Sequence, residues 1–278
     1  MKIALHDLVR KDDFRHKELT YEVNGLVFEV RNKLKGGWPE EAYHQALFDV
    51  IAKQGFTAVS KEQRSIKHRD SLVHTYEADI TVEDILILEL KVLRYQRKFS
   101  PAHFAQIIHY LKLWQRDLGL LVNFGPPQVH IKRVIWDEPE VDIDENYDYI
   151  KNALSLRDKR CLREIRHLIR SLAEQFGLGY PDAIYRRLLE IEAKHHQIPC
   201  VTNVRLTAVW ENNPIATHTI PHLLLHNNYL VHICAVPEFS SSWDLIATKT
   251  YLQSLGKQFG LVANFNPKQL QIRGINAN

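Results

Sequence analysis

The sequence is poor in the features that mark secreted, membrane and disulfide-stapled proteins. It has three cysteines in 278 residues, Cys161, Cys200 and Cys234, with no CxxC pair. An odd, widely spaced set predicts neither a disulfide framework nor a CxxC-type zinc site, and it favours a reducing, cytoplasmic setting. No apolar run approaches the ~18–20 residues that a membrane helix needs. The N-terminal MKIALHDLVRKDDF also lacks the long apolar stretch of a secretory signal.

Nucleotide-binding signatures are missing as well. Neither GxxxxGK[ST] nor GxGxxG occurs, which argues against a helicase or another ATP-driven enzyme. The net charge of +3 is too small by itself to indicate a nucleic-acid partner. The charge is unevenly placed, because residues 137–148 hold seven acids and no base, whereas residues 151–170 hold seven bases and two acids. Two interpretations stay open: electrostatic steering of a polyanion, and a solvated linker followed by an exposed helix face.

The chain consists of two similar halves on either side of the acidic stretch. GWPEEAYHQALFDVIAKQGF at 37–56 resembles GYPDAIYRRLLEIEAKHHQI at 179–198, and YLKLWQRDLGLLVNFGPPQVHIKRV resembles YLQSLGKQFGLVANFNPKQLQIRGI. Both matches have offsets near 141 residues and occur in the same order, which indicates a duplication. We therefore predict two tandem domains, residues 1–145 and 146–278.

Apolar spacing predicts the same α/β architecture in each half. In the first, two helical segments precede three strands, a helix and two further strands, giving the order α-α-β-β-β-α-β-β. We expect a turn near Glu83 and Asp84, and a helix that begins at Ser100 and Pro101, a favoured pair at a helix N-terminus. This order predicts a mixed central sheet flanked by helices.

Three polar residues interrupt the apolar segment ADITVEDILILELKVL. Side chains alternate along a strand, so Glu89 and Lys91 share one face while their apolar neighbours point the other way. A turn after the preceding strand brings Asp79 beside Glu89. Two close carboxylates repel, and a hard divalent cation such as Mg²⁺ removes that repulsion. With Lys91 alongside, the set suits hydrolysis of a phosphodiester.

For an isolated ExK the ordinary interpretation is an edge strand with solvent-facing charges, and further motifs argue against it here. Asp79 followed by Glu89-Leu90-Lys91 resembles the core of the PD-(D/E)XK nuclease superfamily, although Ala78 stands where the superfamily name has proline. GWPEEAY fits GxxExxY, and QIIHY fits QxxxY. Together with LLVNFG, these motifs resemble the GxxExxY family of that superfamily, over most of residues 16–135.

The resemblance implies a restriction-endonuclease-like fold and roles for further residues. Asp79, Glu89 and Glu40 would hold Mg²⁺, or Mn²⁺ in its place, and Lys91 would be catalytic. Gln106 and Tyr110 share a helix face and would line the site. Core packing with a satisfied hydroxyl is an equal alternative for Tyr110 and for Tyr43, and a surface position is the simpler interpretation of His103.

The second half is predicted to be a degenerate copy without the metal ligands. An offset of 141 makes the following assignments: Asp79 near Ile220 or Pro221, Glu89 to Leu230, Lys91 to His232, and Gln106 to Ala247. In the GxxExxY-like segment, the glutamate Glu40 becomes Asp182. Leu230 cannot bind a cation, so the chemistry of the first half is lost. His218, His222 and His226 are four apart, but on a strand this spacing separates them by about 13 Å and argues against a shared metal.

These observations predict a metal-dependent nuclease with an active first domain and a structural or substrate-binding second domain. DNA is expected over RNA by family analogy alone. Arg186, Arg187 and the bases of 157–170 leave polyanion binding by the second half open. A non-catalytic nucleic-acid-binding or assembly protein is the alternative. A homodimer and a partner protein stay open, and no membrane association is expected.

Overall fold

The computed structural model describes residues 15–94, 98–236 and 242–278, which form two compact α/β units. The first contains residues up to Ile66 and His74–Glu138, and the second contains Lys67–Val73 and Pro139–Asn278. The expectation of no signal sequence concerned residues 1–14, which lie outside the described residues. Within the described part of the chain, every helix is too short or too polar to cross a membrane.

The first unit has a five-stranded mixed sheet in the order β1-β2-β3-β4-β5. Strands β3 and β4 are parallel, whereas β2–β3 and β4–β5 are antiparallel. Its elements are α1 Lys17–Leu34, α2 Glu40–Lys53, β1 Ala58–His68, β2 Ser71–Val82, β3 Leu86–Lys91, α3 Pro101–Trp114, β4 Leu118–Asn123 and β5 His130–Ile135. The predicted order of helices and strands, and the mixed sheet flanked by helices, are confirmed.

Helices cover both faces of this sheet, and the alternation of β3 decides which residues face which helix. Leu88 and Leu90 belong to the cluster formed with α1 and α2, where Val27 is buried. Ile87 instead packs with Ile107 of α3 in the cluster on the other face. Because side chains alternate, Glu89 and Lys91 continue the face of Ile87, toward α3.

Local signals in the sequence define the turn and the helix start that frame the site. Glu83 and Asp84 have φ values of +55° and +52°, and the Ile85 N–H donates to the Val82 carbonyl at 3.0 Å. Two consecutive positive φ values are typical of the type I′ turn that matches the twist of a hairpin. Helix α3 begins at Pro101, as predicted.

The second unit repeats this architecture and adds one strand, giving a six-stranded sheet in the order β6-β11-β10-β9-β8-β7. Strands β9 and β10 are parallel, as are β11 and β6. Its elements are β6 Asp142–Asn146, α4 Leu156–Phe176, α5 Asp182–His195, β7 Cys200–Trp210, β8 Asn213–Leu225, β9 Tyr229–Cys234, α6 Ser242–Leu255, β10 Phe259–Asn266 and β11 Gln269–Asn276.

The added strand changes the interpretation of the acidic stretch. Residues 142–146 form β6, and therefore they are not a solvated linker. Glu145 accepts hydrogen bonds from the guanidinium of Arg166 on α4, the closer at 2.7 Å, and Asp144 pairs with Arg273 of β11. Two of the acidic residues in this stretch therefore neutralise arginines of the same unit.

The tyrosines of the two GxxExxY-like segments have the same structural role. The Tyr43 hydroxyl donates to the Lys35 carbonyl at 2.8 Å, and its ring stacks on Phe124 with centroids 4.5 Å apart. In the second unit Tyr185 donates to the Gly177 carbonyl at 2.8 Å and stacks on Phe265 at 3.8 Å. Both rings are fully buried. Core packing with a satisfied hydroxyl therefore describes Tyr43.

Candidate active site

Asp79, Glu89 and Lys91 converge on neighbouring strands of the first unit. Ile80 pairs with Leu88 across the antiparallel β2–β3 ladder, which sets Asp79 opposite Glu89 one step further along. The Asp79 carboxylate accepts the backbone N–H of Leu90 at 2.7 Å, and the Lys91 ammonium donates to Glu89 Oε1. The predicted cluster is thus present in space.

The Glu89 carboxyl has the most unfavourable electrostatic surroundings in the site. It is only 1% exposed, and its pKa is raised to about 8 by burial and then by the charge of Asp79. Its Oε1 accepts from Lys91, whereas its Oε2 has no hydrogen-bond partner among the residues that the structure describes. A buried carboxylate oxygen without a donor, facing another carboxylate, fits the oxygen-rich coordination that Mg²⁺ prefers.

Lys91 supplies a permanent positive charge beside these acids. Burial opposes that charge, but the carboxylates of Glu89, Glu40 and Asp79 outweigh burial and raise the pKa of Lys91. The ammonium therefore stays protonated at neutral pH and is oriented by its hydrogen bond to Glu89.

Glu40 enters the site from the first residue of α2. Its pKa is raised by burial, lowered by Lys91 and raised again by Asp79, which places its carboxyl within electrostatic reach of both residues. The backbone N–H of Val92 also lowers the pKa of this carboxyl. The three carboxyls predicted to hold a metal thus interact electrostatically, although their oxygens do not all lie within 4.8 Å of one another.

Gln106 and Tyr110 lie one turn apart on α3, and their side chains are linked. Gln106 Nε2 donates to the Tyr110 hydroxyl at 2.7 Å. Burial, and after it the charge of Glu89, raises the pKa of Tyr110, so the phenol faces the acidic cluster. Tyr110 is also packed in the core at 4% exposure, so it both lines the candidate site and packs in the core.

His103 has a structural role at the start of the same helix. Its Nδ1 accepts the backbone N–H of Ser100 at 3.1 Å, completing the N-terminal cap of α3. Burial and the charge of Lys91 lower the pKa of His103. It is therefore neutral and close to the site, and not an ordinary surface histidine.

Asn123, which sequence reasoning passed over, anchors the chain that leaves β3. Its Oδ1 accepts the N–H of Leu93 at 2.8 Å and the N–H of Gly125 at 2.9 Å. In the second unit Asn264 accepts the N–H of Val236 at 2.9 Å and donates to the Val236 carbonyl at 3.0 Å. The sequence signal that could have identified this asparagine is the Asn-Phe pair that occurs in both VNF and ANF.

Strand pairing corrects the assignments made with a single offset. Lys91 pairs with Asn123 across the parallel β3–β4 ladder, whereas the residue that pairs with Asn264 is Cys234. The counterpart of Lys91 is therefore Cys234, and its assignment to His232 is wrong. The two asparagine anchors support this assignment. Asn123 binds Leu93, two residues after Lys91, and Asn264 binds Val236, two residues after Cys234.

The same ladders move the other strand assignments by two residues. Glu89 pairs with Leu121 and His232 with Val262, so His232 is the counterpart of Glu89, and Leu230 is not. Leu223 pairs with Val231 as Ile80 pairs with Leu88, which makes His222 the counterpart of Asp79. No carboxylate stands at these strand positions, as predicted, but metal-binding side chains do.

The histidines at 218, 222 and 226 do not converge, in accordance with their predicted strand. His218 is exposed on β8, His222 is buried, and His226 lies after the strand beside Glu164. The basic residues proposed for polyanion binding are partly neutralised, because Arg186 pairs with Asp182 at 3.0 Å and Arg187 with Glu190 at 2.8 Å.

Comparison with known proteins agrees with both the fold and the repeat. A family model of the PD-(D/E)XK nuclease superfamily matches the chain twice, over residues 17–134 and 159–275. A crystal structure of a protein named SSO0001 is similar at 22% identity over 48% of this chain and 66% of that one, with a TM-score of 0.29. The match thus spans just under two thirds of that protein. No curated protein matches the sequence.

Proposed function

The chain belongs to the PD-(D/E)XK nuclease superfamily, and on that basis we propose that its first unit is a metal-dependent nuclease that hydrolyses phosphodiester bonds, with Mg²⁺ or Mn²⁺ as the ion and DNA as the substrate. Asp79, Glu89 and Glu40 hold the ion, and Lys91, Gln106 and Tyr110 complete the site. The observation that carries the proposal is the buried Glu89 oxygen that lacks a donor and faces Asp79.

When bound, the divalent ion neutralises phosphate charge and polarises the scissile bond. Lys91 holds its proton and lies beside Glu89, where its positive charge stabilises the charge that develops on the phosphate. Gln106 orients the Tyr110 hydroxyl toward the acidic cluster, and the pair positions the phosphate through its polar atoms. Asn123 keeps the end of β3 in register, so that Lys91 does not move relative to the carboxyls.

Assignment to the GxxExxY family within the superfamily is part of this proposal. Gly37 has a φ of +102°, in the region that favours glycine, and it precedes the helix that carries Glu40 and Tyr43. The glycine therefore makes the turn, the glutamate brings a carboxyl to the site, and the buried tyrosine fixes the helix. DNA as the substrate rests on family analogy.

The second unit does not cleave, because its strands carry no carboxylate at the positions of Asp79 and Glu89. A structural or substrate-binding role follows. We place the domain boundary in the acidic region before α4, and we expect the protein to act on nucleic acid in the cytoplasm.

The test is cleavage of single-stranded DNA, double-stranded DNA and RNA by the full chain, in Mg²⁺, Mn²⁺ and EDTA. We expect divalent-dependent cleavage of DNA that falls by about 10²- to 10³-fold in Asp79→Asn and Glu89→Gln, a loss typical of groups that manage transition-state charge. Asp49→Asn and Glu22→Gln are matched controls on exposed helical positions, and they should cleave as the unsubstituted chain does.

The non-catalytic alternative makes a different prediction with the same samples. A binding or assembly protein would retain nucleic acid in a filter or mobility assay but release no product with any of the metals. Tight binding that is unchanged by Asp79→Asn, together with no cleavage by the unsubstituted chain, would favour that alternative.

A further inference from the structure

A second cluster of metal-binding side chains lies at the corresponding place in the second unit. One atom each from His232, Cys234 and Asp244 lies within 4.8 Å of the others. His232 and Cys234 are two apart on β9 and therefore share a face, and Asp244 is in the first turn of α6. His232 Nε2 is 3.2 Å from Asp244 Oδ1.

His222 adds an independent observation. It is the counterpart of Asp79, is only 4% exposed, and stacks on His232 with ring centroids 4.4 Å apart. Neither of its ring nitrogens has a hydrogen-bond partner among the residues that the structure describes. A buried imidazole with no partner for either nitrogen is costly unless a further group binds it.

The donor set indicates which kind of ion would bind. The first unit offers only carboxylate oxygens, which suit hard ions such as Mg²⁺, whereas this cluster offers imidazole nitrogen, thiolate sulfur and one carboxylate. That mixture is typical of Zn²⁺ and other borderline transition metals. The negative charges of a thiolate and of Asp244 also balance a divalent cation.

We propose that the second unit binds one transition-metal ion, Zn²⁺ being the expected one, through His232, Cys234 and Asp244. His222 is the fourth ligand in this proposal; its nitrogens lie outside the group within 4.8 Å, so its ring turns toward the ion when the ion binds. At the strand positions of Asp79, Glu89 and Lys91, the duplicated site thus carries two imidazoles and a thiol. The ion joins β8, β9 and α6, and its role is to fix these elements together. Binding displaces the Cys234 proton, because the thiolate is the ligating form.

The ionisation of the histidines is compatible with this assignment. Burial, followed by the charges of His232 and Arg186, lowers the pKa of His222 to about 3. Burial also lowers the pKa of His232, against the opposing effect of Asp244. Both rings are therefore neutral near pH 7, which is the form that binds a metal.

The experiment uses the full chain loaded with Co²⁺ after removal of bound metals, followed by absorption spectroscopy. A thiolate bound to Co²⁺ gives a charge-transfer band that carboxylate sites do not give, so the first unit does not contribute. We expect one Co²⁺ per chain with this band, displaced by an equivalent of Zn²⁺. Cys234→Ser should abolish the band, whereas Cys161→Ser and Cys200→Ser, the matched controls, should retain it.

Two further variants test the other ligands. Asp244→Asn and His222→Ala should each weaken Co²⁺ binding by at least about 10-fold, since even groups outside the ligand shell are worth roughly 10- to 100-fold in affinity. Because Cys234 is buried, Cys234→Ser also needs a check of folding by circular dichroism. If this variant does not fold, labelling of the unsubstituted chain with a thiol reagent replaces it as the test. Zn²⁺ should slow the labelling of Cys234 but not the labelling of Cys161.

The proposal is overturned if the unsubstituted chain gives no thiolate band, if the band survives in Cys234→Ser, or if Zn²⁺ leaves the labelling of Cys234 unchanged. None of these measurements depends on nuclease activity, so the metal site can fail while the proposed function stands, and the reverse also holds.

Discussion

The two halves carry the same scaffold but different chemistry at the same strand positions. Both have a parallel pair of central strands, an asparagine that anchors the chain after the first of them, and a tyrosine stacked on a phenylalanine. At the site, Asp79 and Glu89 correspond to His222 and His232. The two halves therefore share the residues that hold the sheet and helices together, and they differ in the side chains at the candidate site.

If the proposals for both halves hold, the second half has lost the nuclease ligands but kept side chains that can bind a metal. Replacement by apolar residues would have removed all such side chains from these strand positions. Instead the positions of Glu89 and Lys91 carry a histidine and a cysteine, which bind softer ions than carboxylates do. Substitutions that affect one half and spare the other can test how far the two halves differ.

The largest effect is expected from Lys91→Ala. Cleavage should fall by about 10²- to 10³-fold, because a charge that stabilises the transition state is removed from a buried site. Initial rates on a labelled DNA duplex measure this effect. Lys53→Ala, on an exposed position at the end of α2, is the control, and an equal loss in both variants would contradict a role for Lys91.

The next effect is a pH dependence of stability in the first unit. The pKa of Glu89 is raised from 4.5 to about 8 by burial and by Asp79. Because the folded-state pKa exceeds the unfolded one, this contribution to the free energy of unfolding is present below pH 4.5 and is lost as pH rises to about 8. At roughly 1.4 kcal/mol per pKa unit, the full shift would correspond to about 5 kcal/mol. Relaxation of the site lowers this value, and in EDTA we expect a loss of about 3 kcal/mol.

Urea unfolding at a series of pH values, in EDTA, checks this prediction. Glu89→Gln should remove that part of the slope, while Glu22→Gln should leave it unchanged. A divalent cation should oppose the slope, since it binds the carboxylate form. An identical pH profile for the unsubstituted chain and Glu89→Gln would show that Glu89 is not the titrating group.

A smaller contrast is expected between Glu40→Gln and Asp182→Asn, which change corresponding residues in the two halves. Glu40 lies within reach of Lys91 and Asp79, whereas Asp182 pairs with Arg186. Cleavage should fall by roughly 10- to 100-fold in Glu40→Gln, as for a supporting metal ligand, and should be unchanged in Asp182→Asn. Equal rates for the two variants would remove Glu40 from the site.

The smallest effect should be similar in both halves. Tyr43→Phe and Tyr185→Phe each remove one buried hydrogen bond to a backbone carbonyl and keep the stacked ring. Tyr185→Phe also removes the acceptor of the Tyr180 N–H. Each should lower the free energy of unfolding by about 1 kcal/mol, measured by urea denaturation. The exposed Tyr21→Phe is the control, and a loss in only one half would show that the tyrosines are not equivalent.

The architecture of the first half, and the residues that lie together at its candidate site, could be predicted from the amino-acid sequence alone. Alternation predicted that Glu89 and Lys91 share a face, and the turn at Glu83 and Asp84 predicted that Asp79 would lie opposite. These are local properties, since strand period and turn chemistry depend on neighbours in the chain. The family motifs then added Glu40, Gln106 and Tyr110, which the strand pattern does not reveal.

The register of the second half required the three-dimensional structure. The offset between the halves is 142 residues at Tyr43 and Tyr185, 143 at Glu89 and His232, and 141 at Tyr110 and Tyr251. Irregular pairing in the β7–β8 hairpin absorbs one extra residue, and the connection from β9 to α6 is two residues shorter than its counterpart. A single offset cannot follow such changes, because hairpins and loops vary in length while hydrogen-bonded ladders fix which residues meet.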